Sequence, residues 1–178
     1  RPSQLAMARA VRGAIQSQNH LCVESETGTG KTLAYLIPAL FSRKRVVVST
    51  ATKNLQDQIF FKDVPLIRQY ILPELSATYM KGRQNYLCLH KLHEGLQQET
   101  VLTDVQQKLR RVSDWVKETL TGDRSELVWM EDFDSVWGHI DARSDTCTGR
   151  KCPSFDDCYI TKVRERVMEA DLIVVNHS

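Results

Sequence analysis

Ser25-Glu26-Thr27-Gly28-Thr29-Gly30-Lys31-Thr32 lies between a short apolar run, Leu21-Cys22-Val23, and a longer apolar segment, Leu33 to Leu40. Strand, glycine-bearing turn and helix in that order are the setting of a phosphate-binding loop. Gly28 and Gly30 let the backbone curl so that successive N–H groups point inward as an anion nest. The opening turn of the next helix adds free donors and the positive end of its dipole. Lys31 is expected to reach the β- and γ-phosphates, and the Thr32 hydroxyl to help hold Mg²⁺. Ser25 stands where the loop pattern prefers glycine or alanine, and it is small enough to keep the strand end close. A plain surface turn would need neither the flanking strand nor the helix. The stretch reads as a nucleoside-triphosphate site.

The surrounding chain has the alternation of an α/β fold. Ser3 can cap a first helix in which Met7, Val11, Ala14 and Ile15 recur at helical spacing, ending at Asn19-His20. Pro38 should kink or shorten the helix after the loop. Arg45-Val46-Val47-Val48-Ser49 reads as a fully buried, parallel-type strand. A short helix between Thr52 and Phe60 follows, then a second from about Pro65, then a strand at Ala77 to Met80. Such strand–helix–strand order predicts a partial RecA-like parallel sheet over residues 1–79.

After Met80 the pattern turns helical. Leu89, Leu92, His93 and Leu96 share one face, and Val105, Leu109, Val112 and Val116 share another, behind a capping box at Thr103-Asp104-Val105-Gln106 and before a stop at Gly122. Residues 123–150 have no steady period, and Trp129, Phe133 and Trp137 read as the core of a small domain rather than a stacking platform. A last helix carries Ile160, Val163, Val167 and Ala170, and Leu172-Ile173-Val174-Val175 is again a buried strand. The sheet thus resumes over residues 160–178 after an inserted, mostly helical domain at 80–159.

The bulk numbers bound the class. The 178 residues carry a net charge of +2, and no apolar run is long enough to span a bilayer. Residues 1–79 hold ten Lys/Arg against five Asp/Glu, whereas residues 80–158 hold eleven against fourteen. The positive excess on the loop-bearing part favours a polyanionic partner there. No signal peptide is evident, the chain opens on Arg1, and we expect a piece of a longer cytoplasmic protein.

Five cysteines, an odd number, argue for metal or reactive thiols rather than a disulfide framework. Cys88 precedes the first helix of the insertion, and Cys147, Cys152 and Cys158 cluster at its far end. Four thiolates so placed can tie the two ends to one metal centre, a [4Fe–4S] cluster or a tetrahedral zinc. Zinc sites usually use tighter Cys-x2-Cys pairs, so these wider spacings favour iron–sulfur, as does Cys152-Pro153. Cys22, in the strand before the loop, reads as a small buried hydrophobe.

Four stretches together resemble the DinG/XPD-type superfamily 2 DNA helicases with an iron–sulfur domain, and within them the bacterial DinG-like members. They are Arg1-Pro2-x-Gln4-x-x-Met7, Thr27-Gly28-Thr29-Gly30-Lys31-Thr32, Ser49-Thr50-Ala51-Thr52-x-x-Leu55-Gln56-x-Gln58 and Lys81-Gly82-Arg83-x-Asn85-Tyr86-Leu87-Cys88. Val174-Val175-Asn176-His177 resembles the strand and turn that the family places before its Walker B box. The resemblance implies an ATP-driven DNA translocase, 5′→3′ on single-stranded or branched DNA, in repair or replication stress, associated with the bacterial nucleoid. It implies that Arg1 and Gln4 read adenine beside the loop residues Thr27, Gly28, Thr29, Gly30, Lys31 and Thr32, with Lys31 and Thr32 acting in the chemistry. Thr52 and Lys53 would touch DNA phosphate from a helix start, and Lys81, Arg83 and Tyr86 would grip and stack a single strand. No Walker B acid occurs before Ser178, so this stretch alone is expected to bind nucleotide weakly without turning it over. Two other readings stay open, a P-loop ATPase with a zinc domain acting on protein partners and a non-catalytic nucleic-acid-binding module.

Overall fold

The computed structural model describes residues 1–26, 30–98, 103–131 and 134–176. Thr27, Gly28 and Thr29 of the loop, Phe133, His177 and the side chain of Thr103 lie outside the described residues. The chain divides into two compact units, residues 1–80 with 167–178, and residues 81–166.

The first unit opens with α1 (Pro2–Ser17), whose N-cap is Arg1 without a side-chain cap bond. The expected cap at Ser3 is not used, because Pro2 starts the helix itself: its φ is preset and its missing N–H is not needed at the first position. Gln18 closes α1 in the left-handed region and gives its N–H to Ala14 O. α2 (Lys31–Phe41) continues only three residues past Pro38, which has no N–H for Ala34. β1 (Val46–Thr50) follows, then α3 (Lys53–Gln58), a π-helical turn (Ile59–Asp63) and α4 (Val64–Tyr70). The two helices expected here are one continuous run. Pro65 cannot donate to Phe61, and the widened turn before it absorbs that missing bond.

β2 (Ala77–Met80) and β3 (Leu172–Asn176) complete a three-stranded parallel sheet in the order β1-β3-β2. β3 is central although it comes last, because Leu172-Ile173-Val174 is apolar on both faces and buried throughout. The register aligns Val46, Leu172 and Ala77 in one row and Val48, Val174 and Tyr79 in another. Those rows face a core built with Leu36 and Leu40 of α2, Ile59 of the π-turn, and Val64 and Ile67 of α4. This is the α/β, partly RecA-like sheet that the alternation predicts.

Two strand expectations change. β1 is not fully buried: it is an edge strand, and Val47, on the face opposite the core, is 60% exposed. Leu21-Cys22-Val23 forms no strand. A strand is defined by its ladder, and among the described residues none pairs with this segment. Cys22 is therefore exposed rather than a buried hydrophobe.

In the second unit, α5 (Leu89–Gln97), α6 (Thr103–Val116) and α7 (Ser135–Ile140) pack around Leu92, Leu109, Val112, Val136 and Ile140. Tyr159, the first residue of α8 (Tyr159–Glu169), joins them. The apolar residues of the helical faces read from the sequence pack here, but His93, expected on the first of those faces, is exposed. Trp137 is in this core with its indole N–H on Gln84 O (2.8 Å), and Trp129 packs against it under Arg111. α6 ends at Val116, short of Gly122. Gly122 instead turns at φ +64, where a Cβ would stand 2.3 Å from the Tyr159 ring.

Candidate nucleotide site and cysteine cavity

Gly30 is the N-cap of α2 at φ 79, ψ 30, a left-handed conformation. Glycine suits that backbone conformation, and a Cβ there would stand 2.5 Å from the Gln4 side-chain nitrogen and displace it. That nitrogen donates to Gly30 O at 3.1 Å, so Gln4 is held against the phosphate loop. Lys31 opens α2, and its ammonium folds back onto two main-chain carbonyls, Ser25 O (2.5 Å) and Glu26 O (2.9 Å). The side chain thus reaches from the end of the loop back to its start, where an anionic oxygen would be a stronger acceptor than either neutral carbonyl. Thr32 follows in the first turn of α2, half-buried. Arg1 is exposed, and its carbonyl accepts from Leu5 N–H at the start of α1. A helix start, a glycine cradle and a lysine on loop carbonyls fit a bound phosphate chain.

Across the carboxyl ends of the strands, Thr52 caps α3, its Oγ1 accepting the Leu55 N–H at 3.2 Å, and Lys53 opens the helix. Both side chains are exposed. Gln56, one turn on, is fully buried, and its amide gives both hydrogens to strand carbonyls: Met80 O at 3.0 Å and Val174 O at 2.9 Å. It bridges the ends of β2 and β3, a role the sequence pattern did not signal.

The residues grouped before Cys88 go elsewhere than expected. Lys81 is 5% exposed, with Nζ 2.8 Å from Asp123 Oδ2 and 3.2 Å from Ser125 Oγ. Tyr86 is 1% exposed, and its hydroxyl accepts the Lys81 N–H at 3.0 Å. Burial pushes its phenol up to about 12. A ring enclosed in this way has no face to offer a base, so the expected DNA contacts from Lys81 and Tyr86 are corrected to a buried network. The sequence hid this because the partner of Lys81 lies some forty residues away, in an irregular segment. Replacing Lys81 with Met strips a buried carboxylate of its ammonium, and we expect a loss of about 3–5 kcal/mol in denaturant unfolding of the second unit. A loss below about 1 kcal/mol, the value of an exposed pair, would contradict this placement. Arg83 is half-buried, donates from Nε to Ala142 O at 2.9 Å, and lines the same cavity as Cys147.

Cys88 N-caps α5. Its backbone is pinned by Cys88 N–H on Ile140 O (2.7 Å) and by bridges pairing Tyr86 with Asp123 and Leu87 with Asp141. Burial raises its thiol pKa, against the pull of the Lys91 and His90 N–H groups. Cys147 is lowered, first by the Gly149 N–H and then by Arg83. Cys88, Cys147, Cys152 and Cys158 all line one cavity of about 950 Å³ in the second unit. No group of three or more Cys, His, Asp or Glu among the described residues converges closely enough for a single ion. Tetrahedral zinc would need sulfurs about 3.8 Å apart at a Zn–S length of about 2.3 Å. A cluster, with each thiolate on its own iron, tolerates a wider ring. Four thiols around one cavity are a donor set a thiolate-bound cluster can use.

Residues 2–118 match the DEAD/DEAH box helicase family. The chain belongs to that family. This helicase-family chain is 41% identical over 99% of its length to the ATP-dependent DNA helicase YoaA of Haemophilus influenzae, covering 28% of that protein. It is 38% identical to the Escherichia coli protein of the same name, again over 99% of its length and 28% of the relative. To the ATP-dependent helicase DinG of Mycobacterium tuberculosis it is 33% identical over its full length and 30% of the relative. The chain spans less than a third of the length of these relatives. In the helicase-family frame, Lys31, Thr32 and Gly30 gather with Gln4 in the first unit, and the four cysteines gather in the second.

Proposed function

We propose that the intact protein is an ATP-dependent DNA helicase in which residues 81–166 form an iron–sulfur domain. The observation that carries this is the Lys31 ammonium on the carbonyls of the loop beside Gly30 and Gln4, in a chain whose relatives are named as ATP-dependent DNA helicases. ATP binds with its phosphates at Gly28, Gly30 and Lys31, and its Mg²⁺ at Thr32. Arg1 and Gln4 face the base, and Thr27 and Thr29 complete the loop. Thr52 and Lys53, both exposed at one helix start, contact DNA phosphates. Arg83 stays on the cysteine ring and Lys81 and Tyr86 beneath it as scaffold. Cys88, Cys147, Cys152 and Cys158, which line one cavity, hold one [4Fe–4S] cluster, and their wide spacing along the chain favours it over zinc. The cluster ties the ends of the insertion, while the residues around it supply the shape. Movement is 5′→3′ on single-stranded or branched DNA in repair or replication. No helix among the described residues is long and apolar enough to cross a membrane, and a cytoplasmic, nucleoid-associated protein is the reading in keeping with a DNA substrate.

The test is ATP hydrolysis by the intact protein with and without single-stranded DNA, read together with strand displacement on tailed duplexes. Stimulated turnover and displacement from a 5′ tail are expected. Turnover that ignores DNA and responds to a protein partner would favour an assembly ATPase, and DNA binding indifferent to ATP would favour a passive binding module.

A further inference from the structure

Asp141 follows α7 directly and is 1% exposed. A buried carboxylate is costly unless cations and donors satisfy it. The Arg143 guanidinium grips this one as a fork, with Nε 2.8 Å from Oδ1 and Nη2 2.5 Å from Oδ2. The Arg143 main-chain N–H reaches Oδ1 at 3.3 Å, and the Lys91 ammonium stands 3.8 Å from the same oxygen. The backbone of Asp141 is held too. It pairs with Leu87, and the flanking bonds run from Cys88 N–H to Ile140 O and from Ala142 N–H to Tyr86 O (2.9 Å). Lys91 lies in the first turn of α5, the helix that Cys88 caps, and Arg143 lies four residues before Cys147. Both line the cavity of the four cysteines. Asp141 does not line it, so it reaches the ring through these two cations.

We propose that Asp141 is a positioning residue of the cysteine ring, joining the arm that carries Cys88 to the arm that carries Cys147. The inference rests on the assignment of an iron–sulfur cluster to these cysteines and names what shapes their site. Ligands on separate segments hold a metal group well only when a layer of outer partners fixes them. A guanidinium–carboxylate fork fixes orientation as well as distance, which a lysine alone does not. Without the carboxylate, Lys91 and Arg143 turn toward water and the junction between the two arms loosens. The charge of Asp141 matters as well. It offsets two cations that face an anionic thiolate-bound cluster, and net charge around a cluster sets the energy of an added electron. Asp141 itself binds no iron.

The experiment uses the intact protein purified without air. Iron release into an excess of a ferrous chelator is timed for the unsubstituted protein, Asp141→Asn, Arg143→Gln and the double variant, and the midpoint potential of each cluster is measured alongside. Asp141→Asn keeps the size of the side chain but meets its two cations with a neutral oxygen. It is expected to release iron about 10–100-fold faster, the usual cost of an outer-shell partner. Arg143→Gln breaks the same link and also speeds release, and the double variant should lose no more than the worse single. The potentials should move in opposite directions. Loss of the carboxylate makes an added electron easier to hold and raises the potential, whereas loss of the guanidinium lowers it. A residue kept only for folding would speed release without that reversal. Arg143 is half exposed, so its variant carries the release and potential tests even where Asp141→Asn does not fold. Unchanged release in the single variants, potentials shifted in one direction, or losses that add in the double overturn the inference and leave the cluster standing. Absence of iron from the unsubstituted protein overturns the cluster assignment and the inference with it.

Discussion

Lys31→Ala is expected to lower ATP turnover of the intact protein by about 10²–10³-fold while leaving it folded. The size follows from what the ammonium does. In the structure it rests on Ser25 O and Glu26 O, neutral acceptors at the start of the loop. The β- and γ-phosphates carry full charge and gain more at the leaving oxygen as the bond to the γ-phosphorus breaks, so the lysine contributes most in the transition state. Its share in folding is two hydrogen bonds at a half-exposed loop, about 1 kcal/mol each, and Tm should barely move. Initial rates at saturating ATP and Mg²⁺, alongside circular dichroism melts, check both halves. Unchanged turnover in a folded variant would end the phosphate-loop assignment.

Serine at any one of Cys88, Cys147, Cys152 or Cys158 is expected to abolish strand displacement and to remove the cluster, with nucleotide affinity preserved. Serine is a poor iron ligand compared with a thiolate, and loss of one corner opens the ring. Cys88 and Cys147 are joined by roughly sixty residues of chain, and cross-linking such a loop is worth about 4 kcal/mol of closure entropy. The second unit keeps its own core around Leu92, Leu109, Val112 and Trp137 and its backbone bridges at Tyr86 and Leu87, so it loosens at the cysteine end rather than unfolding. The phosphate loop belongs to the first unit and should bind nucleotide as before. Cys22→Ala is the control: Cys22 is exposed, lies in the first unit and does not line the cavity. Iron content, analogue binding and displacement are measured on each variant. Displacement surviving in Cys152→Ser, or iron lost in Cys22→Ala, would contradict the ligand set.

Much of this was legible in the chain because local rules carry it. The apolar stripes at Leu89, Leu92 and Leu96 and at Val105, Leu109 and Val112 named the helix faces of the second unit, since a 3.6-residue period needs no distant partner. β3 was legible as a run apolar on both faces, the mark of a central parallel strand. Gly30 and Lys31 were legible as the junction of a glycine-bearing loop with a helix, although the strand expected before that loop is not formed among the described residues. What failed depended on distant partners. β1 carries the same valine-rich signal as a central strand, yet its place at the edge is decided by β3, over a hundred residues later. Leu21-Cys22-Val23 has strand composition without a ladder among the described residues. Lys81 and Tyr86 looked like surface gripping residues because a buried lysine is rare, and Asp123 and Ser125, placed by an irregular turn, help make its burial tolerable. Gln56 reads as part of a polar motif and is the most enclosed polar side chain of the sheet's rim, a status conferred by the carbonyls of Met80 and Val174.

The most direct measurement is the metal content of the intact protein purified without air, by iron, acid-labile sulfide and zinc analysis on one preparation. The account predicts a brown protein with about four iron and about four sulfide per chain and no stoichiometric zinc. One zinc per chain, colourless and without sulfide, would contradict it, and the cysteine cavity would then belong to a zinc domain rather than to an iron–sulfur helicase.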